Sequence, residues 1–549
     1  MVPDQTVNTR ASAGPVDEGQ PGAAAPRMTL NEELRPATSD RVLRSLALRT
    51  RTAGSDAFAP APAQIDNGDE ARYGDKSGTY TKGVLQAGVG LVDLGAYATF
   101  KTALRTGSPA DFEKIILGGP RTLNGPQAGL AFCLDSLDGS QYLVPPAPAL
   151  ASEAYATELV ELYWAALLRD VPFGAYEQSS VAQRAAAELS SLPEYAGPRD
   201  MHTGQVSPRL LFRGDFAGEK VGPYLSQFLL LPTELGTLPV TQQYVTNQAG
   251  LDFMTEPGEF LNVQNGRPTG KALTPAGARY LNDGRALAAL THADLLYQEY
   301  MMAYLVLNTI NRPLPPPLNS GNPYAASRTQ NGFGTFGQPD IAGTLAAVAG
   351  EAIREVWYQK WWAHLRHRPE SGGAIVYLQK TGQGGSIEGH VSDTVLNSQA
   401  VQASFRANNS YFLAQAFPEG SPTHPAYPTG HGTVAGACIT VLKFYFDGNY
   451  PITSPKVPSA DGTALENYRA PAGQRPLTVN SELHKLAHNV SFGHGIHAGI
   501  HWRSDTDESI KLGEAIALSY LRDHAHLYNE HFSVSLTKLD GTVATISNG

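Results

Sequence analysis

The chain has 549 residues, with 41 Lys plus Arg against 51 Asp plus Glu and a formal net charge of −10. That balance argues against a general nucleic-acid-binding protein, because phosphate contacts need clustered cations. Hydrophobic residues make up 42% of the chain, enough for a large core, and its two cysteines, Cys133 and Cys438, cannot form a disulfide framework. There is no signal-peptide pattern at the N-terminus and no apolar run of about 18 residues. We therefore expect no membrane span and a soluble protein, cytoplasmic unless another route exports it.

Residues 1–75 are rich in Ala, Pro, Gly and Asp, which predicts a disordered tail or an arm that wraps a neighbouring subunit. A short helix is compatible with the pattern near residues 41–51. Residues 76–549 are expected to form a single large domain. The N-terminal segment is therefore predicted to lie outside the main fold.

The main domain reads as mostly helical with long connections. Apolar periodicity and cap residues predict helices over 80–105, 151–170, 178–192, 221–231, 284–309, 341–367, 432–446, 481–501 and 504–528. The remaining patterns predict loops over 318–340, 371–392 and 448–476 and a short hairpin over 533–546. The predicted fold class is therefore mainly α.

The most informative stretch, from His424 to His431, reads His-Pro-Ala-Tyr-Pro-Thr-Gly-His and leads into an apolar run. Proline fixes the approach, and glycine lets the backbone come close to a ligand. The amides of Gly430 and His431 would lie at a helix N-terminus, where free N–H groups and the helix dipole favour an anion. The stretch predicts an oxyanion site, with a structural cap or a surface histidine as the alternative.

A second segment supplies two cations. Lys360 and Arg368 are eight residues apart, so on a helix they would lie within about 80° of each other. Lysine offers a point charge and arginine a planar fork, which together suit a tetrahedral oxyanion. The alternative is a solvated basic stripe.

A third segment is rich in histidine, as is the C-terminal third of the chain in general. His494, His497 and His501 recur at helical steps of three and four, which predicts that they share one face. Such a row could bind zinc or face an anion pocket, and no HExxH motif is present to favour zinc. A Ser-His-Asp hydrolase is disfavoured because no Gly-x-Ser-x-Gly motif occurs.

The three segments together resemble the motifs of the vanadium-dependent haloperoxidases and the related acid phosphatases. In order, they are Lys360…Arg368-Pro369, Pro428-Thr-Gly-His431 and Gly499-Ile-His501-Trp-Arg-Ser-Asp505. The spacing of eight, and His424 seven residues before His431, are similar to the bromoperoxidase branch. Further runs resemble the algal and cyanobacterial bromoperoxidases, so that the resemblance covers about residues 75–530: Asn124-Gly-Pro-Gln-Ala-Gly-Leu-Ala-Phe, Glu158-Leu-Val-Glu-Leu-Tyr-Trp and Val221-Gly-Pro-Tyr-Leu-Ser-Gln-Phe.

The resemblance implies two packed helical bundles with long connecting loops and a vanadate pocket at the end of a bundle. It implies an enzyme in which hydrogen peroxide oxidises halide to a hypohalous-acid equivalent that halogenates small organic acceptors. The family often forms symmetric oligomers, which implies a homo-oligomer here. By position in the motifs, the resemblance implies His501 as vanadium ligand and, as holders of the vanadate oxygens, Lys360, Arg368, Thr429 and Gly430. It implies three catalytic roles: Lys360 polarises the bound peroxide, His431 is the acid/base residue, and His424 takes part in halide or proton handling.

The sequence departs from the family pattern at three positions. Thr429 stands where the family has serine, and the hydroxyl is retained. The family arginine six residues before the vanadate histidine falls on Gly495, which leaves His494 or His497 as its replacement. Trp357 stands where chloroperoxidases tend to have tryptophan, so that together with His424 it implies a mixed halide preference.

A weaker resemblance concerns calcium. The run Phe336-Gly-Gln338-Pro-Asp340 resembles part of a structural calcium loop in the bromoperoxidase branch. Carbonyl, amide and carboxylate oxygens are suitable Ca²⁺ ligands. The alternative is an ordinary loop that leads into a helix.

Two further functions stay open from the sequence. The same pocket could serve a phosphomonoesterase with His501 as nucleophile and His431 as general acid. A non-enzymatic helical protein with a decayed pocket is the third hypothesis, which the missing arginine at Gly495 supports. Retention of Lys360 and Arg368 argues against it.

Overall fold

The computed structural model describes residues 41–548 and divides the chain into two units, Met1–Thr52 and Ala53–Gly549. The described part of the first unit is the start of helix α1 (Arg41–Ala57). This helix matches the short helix expected near residues 41–51. The predicted tail up to residue 40 lies outside the described residues.

Residues 53–75 belong to the second unit. The Gln64 side-chain amide donates to the carbonyl oxygens of Ser140 and Tyr142, at 3.1 and 3.0 Å. The buried Asp69 carboxylate accepts from the Leu150 amide at 2.8 Å. The structure therefore places the boundary before residue 53 and not at residue 75.

Helices are the predominant regular secondary structure of the second unit, which confirms the mainly α prediction. They are α2 (Asp69–Arg72), α3 (Leu94–Thr106), α4 (Pro109–Phe112), α5 (Glu153–Leu168), α6 (Ser180–Ser191), α7 (Pro257–Gln264), α8 (Gly284–His292), α9 (Gln298–Thr309), α10 (Gln338–Tyr358), α11 (Pro369–Lys380), α12 (Asp393–Leu396), α13 (Gln399–Asn408), α14 (Gly430–Tyr445), α15 (Val479–Phe492) and α16 (Arg503–Ala525). None of the helices within residues 41–548 is long and apolar enough to cross a membrane.

The strands form separate two-stranded antiparallel pairs, each made of strands that are consecutive in the chain. They are β1 (Gln86–Gly88), β2 (Leu91–Val92), β3 (Thr233–Leu235), β4 (Leu238–Val240), β5 (Tyr244–Asn247), β6 (Pro275–Arg279), β7 (Lys456–Pro458), β8 (Leu465–Asn467), β9 (Ser533–Thr537) and β10 (Val543–Ser547). The last pair confirms the C-terminal hairpin predicted over 533–546. The first pair occupies part of the helix predicted over 80–105, because Gly90, at φ 71°, turns the chain back before α3.

Two other helix predictions and one loop prediction were wrong in part. The helix predicted over 221–231 is a 3₁₀ turn, Gln227–Leu229. The long helix over 284–309 is broken into α8 and α9. The first part of the loop predicted over 371–392 is helix α11. Pro369 lies in the first turn of that helix, where its missing N–H costs no intrahelical bond.

The apolar core has two large clusters. One surrounds α14 and includes residues from α9, α10, α15 and α16. The other surrounds α5 and includes residues from α6, α11 and α13. This arrangement matches the predicted pair of helical bundles.

The central helix α14 packs most closely against α16. A side chain at Gly436 would meet the carbonyl oxygen of Ile510, and one at Gly513 would meet that of Thr433. The two glycines therefore let the helix backbones approach closely. This contact brings the N-terminus of α14 beside the segment that precedes α16, and the predicted motifs meet there.

Candidate active site

The predicted pocket residues converge although they come from distant segments. One group lies at the end of α10 and just after it, a second at the N-terminus of α14, and a third between α15 and α16. The structure gathers Lys360, Arg368, His424, Thr429, His431, His494 and His501, all of them buried.

Lys360 lies in a π-helical turn, Gln359–His364, that continues α10. Its Nζ donates to the carbonyl oxygens of Pro425 and Ala426, both at 2.9 Å. An ammonium carries three N–H donors, so one is left for a ligand. Burial, followed by the nearby Arg368, holds the pKa of Lys360 well below its ordinary value.

Arg368 links the other two segments. Its Nε donates to the His424 carbonyl oxygen at 2.9 Å, and Nη1 donates to the Ile500 carbonyl oxygen at 2.9 Å. Nη1 also lies 2.8 Å from His501 Nε2. Burial lowers the pKa of Arg368 to about 10, so the guanidinium remains charged at neutral pH.

His501 has a defined tautomer because of its two partners. Its Nδ1 lies 3.0 Å from Asp505 Oδ2, and a carboxylate can only accept. Its Nε2 faces Arg368, which can only donate. The proton therefore resides on Nδ1, and the Nε2 lone pair accepts from Arg368 in this structure. Arg366 Nη1 donates to the other Asp505 oxygen at 2.7 Å and fixes the carboxylate.

The N-terminus of α14 offers unused donors. Thr429 is the residue before the helix and makes no side-chain capping bond. Its buried Oγ1 has no hydrogen-bond partner anywhere in residues 41–548. Buried hydroxyls are normally paired, so an unpaired one beside the free amide of Gly430 indicates a place for a hydrogen-bonding ligand. The positive end of the helix favours an anion there.

His431, the second residue of α14, is held by a carboxylate that the sequence did not reveal. Its Nε2 lies 3.1 and 3.0 Å from the two Asp294 oxygens. That arrangement leaves Nδ1 as the atom able to exchange a proton with a ligand. Asp294 lies in the break between α8 and α9, and no local pattern in the sequence marks it.

The third segment is shaped by a second π-helical turn, Gly493–His497. The His494 ring stacks on the His431 ring, with centroids 3.8 Å apart, and lies 5.6 Å from the His501 ring. A Cβ at Gly495 would lie 3.1 Å from His501 Cβ. A π-helical turn contains an extra residue, and His494, seven residues before His501, is the side chain that stacks on His431.

His497 lies outside the pocket, contrary to the predicted shared face. Its Nε2 is 2.8 Å from the Tyr224 hydroxyl, and its ring contacts Phe173. The same π-helical turn rotates it away from His494 and His501. The three histidines therefore do not converge on one metal ion as the zinc alternative required.

Trp357 and His424 form one side of the pocket. Their rings lie 4.8 Å apart, and Lys360 Nζ is 5.8 Å from the indole centroid. The indole N–H donates to the Asn124 carbonyl oxygen at 3.1 Å, which fixes the ring. This aromatic wall lies next to both cations.

The pocket is electrostatically suited to an anion. Burial is the largest cause of a pKa well below the ordinary value at His424, His494 and His501, and nearby cationic groups lower each further. A bound anion would offset that repulsion and raise these pKa values. The unpaired Thr429 hydroxyl, the remaining Lys360 N–H and the guanidinium of Arg368 are all donors, as a tetrahedral oxyanion requires.

At the predicted calcium loop, the Asp340 carboxylate accepts hydrogen bonds from protein groups. Asp340 Oδ2 accepts from the Phe336 amide at 2.8 Å and from the Tyr528 hydroxyl at 2.9 Å. The Tyr445 hydroxyl donates to the same oxygen at 3.1 Å. Because these protein donors already bond to the carboxylate, they favour an ordinary loop leading into α10 over a calcium site. Gln338 is the first residue of that helix.

Known proteins match both the sequence and this architecture. Residues 342–530 match the family described as the VCPO second helical-bundle domain. The vanadium-dependent bromoperoxidase of Corallina officinalis is 30% identical over 88% of this chain and 94% of its own. That of Corallina pilulifera is 32% identical over 76% and 78% of the two chains, and that of Ascophyllum nodosum is 31% identical over 87% of each.

A solved structure extends the match to the whole fold. The homohexameric second vanadate-dependent bromoperoxidase (AnII) of Ascophyllum nodosum superposes with a TM-score of 0.88, at 26% identity, over 99% of this chain and 96% of that one. The helical bundles and the cationic pocket thus define a haloperoxidase-type protein. The chain belongs to the vanadium-dependent bromoperoxidase family, and the matches favour this assignment over the acid phosphatase alternative.

Proposed function

We propose that this protein uses vanadate to oxidise bromide with hydrogen peroxide, giving a hypobromous-acid equivalent that brominates small organic acceptors. The observation that carries the proposal is the buried donor set around the unpaired Thr429 hydroxyl. Family membership supports the reaction, and the pocket supports retention of the oxyanion site despite the missing arginine.

In the proposed assignment, His501 Nε2 is the vanadium ligand. Lys360, Arg368, the Thr429 hydroxyl and the Gly430 amide hold the oxygens. His494 takes the place of the family arginine, because it occupies the pocket position next to His431 and His501. Bound vanadate supplies a Lewis-acidic centre that activates peroxide toward halide.

His431 is the proposed acid/base residue. Asp294 fixes its Nε2, so that Nδ1 can take or give a proton at the ligand. The overall reaction consumes bromide, hydrogen peroxide and one proton, and gives hypobromous acid and water. The reaction therefore needs a proton donor, and we assign that role to His431.

The halide preference is proposed to be bromide, with chloride as the open question. His424 lies against Trp357, the residue that suggested chloride activity, and both border Lys360. Bromide loses its hydration and is oxidised more easily than chloride, so we expect bromide to react faster. Parallel assays with the two salts test this point, and equal rates would contradict it.

Two further expectations accompany the function. We propose a homo-oligomer, which light scattering on the purified protein would test; a mass of about 58.6 kDa would contradict it.

Calcium near Phe336, Gln338 and Asp340 stays a prediction, weakened by the hydrogen bonds of Asp340. Stability that is unchanged by chelator would argue against calcium.

The decisive assay uses chelator-treated protein with monochlorodimedone, peroxide and bromide, with and without orthovanadate. p-Nitrophenyl phosphate serves as a parallel substrate. Bromination that requires vanadate supports the proposal, and His501→Ala should abolish it. Phosphate ester hydrolysis without bromination would support the phosphatase instead. Absence of both activities would support the non-enzymatic hypothesis.

A further inference from the structure

A second cluster of ligand-type side chains lies outside the pocket. Cys133, Glu351 and Glu355 each offer one atom, and these atoms all lie within 4.8 Å of one another. The two glutamates are four residues apart on α10, so they share a helix face. Cys133 reaches them from the chain that follows the 3₁₀ turn Pro126–Leu130.

The buried Glu351 carboxylate is only partly hydrogen-bonded. Its side chain is 9% exposed, and its Oε2 has no hydrogen-bond partner within the described 41–548 range. A buried carboxylate oxygen without a partner is destabilising, because it has lost its water and gained nothing in exchange. An occupant of the cluster would remove that cost.

The only cation placed against the cluster among the described residues is one guanidinium. Arg354 Nη2 donates to Glu351 Oε1 at 3.0 Å, and its Nε donates to Cys133 Sγ at 3.2 Å. One positive charge therefore faces two carboxyl groups and a thiol. Burial raises the pKa of the Glu355 carboxyl to about 8 and also raises the pKa of the Cys133 thiol.

We propose that Cys133, Glu351 and Glu355 bind a divalent transition-metal ion of the zinc type. One thiolate and two carboxylates form a mixed sulfur and oxygen donor set, which suits Zn²⁺ or Co²⁺ and disfavours the hard cations Ca²⁺ and Mg²⁺. Cys133 is partly exposed, so water can supply a fourth ligand. Binding releases the protons of the thiol and of the Glu355 carboxyl to solvent.

Such an ion would connect two segments that lead to the vanadate pocket. It would join the chain around Cys133 to α10, whose C-terminal end continues into the turn that carries Lys360. Its role is therefore structural. Arg354, with a 38% exposed side chain, can turn outward to make room for the ion.

Cobalt is the most direct probe, because a thiolate ligand gives Co²⁺ a characteristic near-ultraviolet charge-transfer absorption. The chelator-treated full-length protein is titrated with Co²⁺, and we expect one equivalent to produce that band. Cys133→Ser should lose it. Cys438→Ala is the matched control, since Cys438 lies in the core, and it should keep the band.

Two further variants separate this site from the pocket. His501→Ala should keep the sulfur band, because the pocket histidines offer no sulfur. Glu355→Gln should weaken cobalt binding at least about tenfold, as loss of a ligand predicts. Absence of a sulfur band in the wild-type protein, or its persistence in Cys133→Ser, would overturn the proposal. Vanadate-dependent bromination by Cys133→Ser should stay near the wild-type rate.

Discussion

Asp505 fixes the protonation of His501. Its Oδ2 lies 3.0 Å from His501 Nδ1 and also accepts from the Trp502 amide at 3.0 Å. The carboxylate thus holds the imidazole proton on the side away from the pocket and orients the ring. Ligand histidines in metal sites depend on such a partner.

Replacing Asp505 should therefore weaken vanadate binding. An asparagine can offer an N–H to Nδ1, which would favour the opposite tautomer and block Nε2. For Asp505→Asn we expect vanadate affinity to fall about 10- to 100-fold, as for other such partners. A titration of bromination rate against orthovanadate measures this effect. Glu508→Gln, on the same helix, is the control and should leave affinity unchanged; equal affinity in both variants would refute the role.

The Thr429 hydroxyl offers a test that separates binding from folding. Because Oγ1 has no partner within residues 41–548, Thr429→Val should leave the free energy of unfolding without vanadate almost unchanged. Its hydrogen bond to an anion should be worth about 1.5–3 kcal/mol, or about 10- to 100-fold in vanadate affinity. Thr429→Ser should retain that affinity. Strong destabilisation of the vanadate-free Thr429→Val protein would contradict the interpretation.

The π-helical turn makes opposite predictions for two adjacent positions. An arginine at 494 would be charged at neutral pH, whereas burial and the neighbouring His431 keep the pKa of His494 well below its ordinary value. We expect His494→Arg to tighten vanadate binding about tenfold. Gly495→Arg should weaken it, because its Cβ would press on His501. A titration with orthovanadate measures the affinity of both variants. Weaker binding by His494→Arg together with tighter binding by Gly495→Arg would refute the assignment of His494 to the place of the family arginine.

A buried histidine makes stability depend on pH. His364 packs edge-on against Tyr427, and neither ring nitrogen has a partner among the residues described. Burial lowers its pKa to about 4 from the model-compound value of 6.5. As the pH falls below 6.5, the unfolded chain therefore binds a proton at His364 before the folded protein does. The free energy of unfolding decreases progressively down to about pH 4.

His364→Phe should remove that loss. The variant keeps an aromatic ring against Tyr427 and cannot bind a proton. Relative to wild type, its free energy of unfolding should rise as the pH falls from 6.5 toward 4. Urea unfolding at several pH values measures the difference. The exposed His202, changed to Gln, is the control and should leave the pH dependence as in wild type.

Strong local patterns predicted much of the secondary structure. The apolar run that became α5 carries its own signal, and the helix predicted from residue 504 is α16, which begins at Arg503. Pro369 led to the wrong prediction of a loop after residue 370, because a proline that ends one helix also fits the first turn of the next. The break between α8 and α9 left no comparable signal, and it is this break that places Asp294 beside His431.

The sequence by itself determined the mainly α class, the family and most of the pocket residues, because those depend on periodicity and on motifs of contiguous residues. Only the tertiary structure decided that His494 stacks on His431 whereas His497 turns toward Tyr224, since a π-helical turn changes which side chains share a face. It alone identified Asp294 and the cluster at Cys133, because both unite residues more than 130 positions apart in the chain. Such contacts are set by helix packing, which no local pattern encodes.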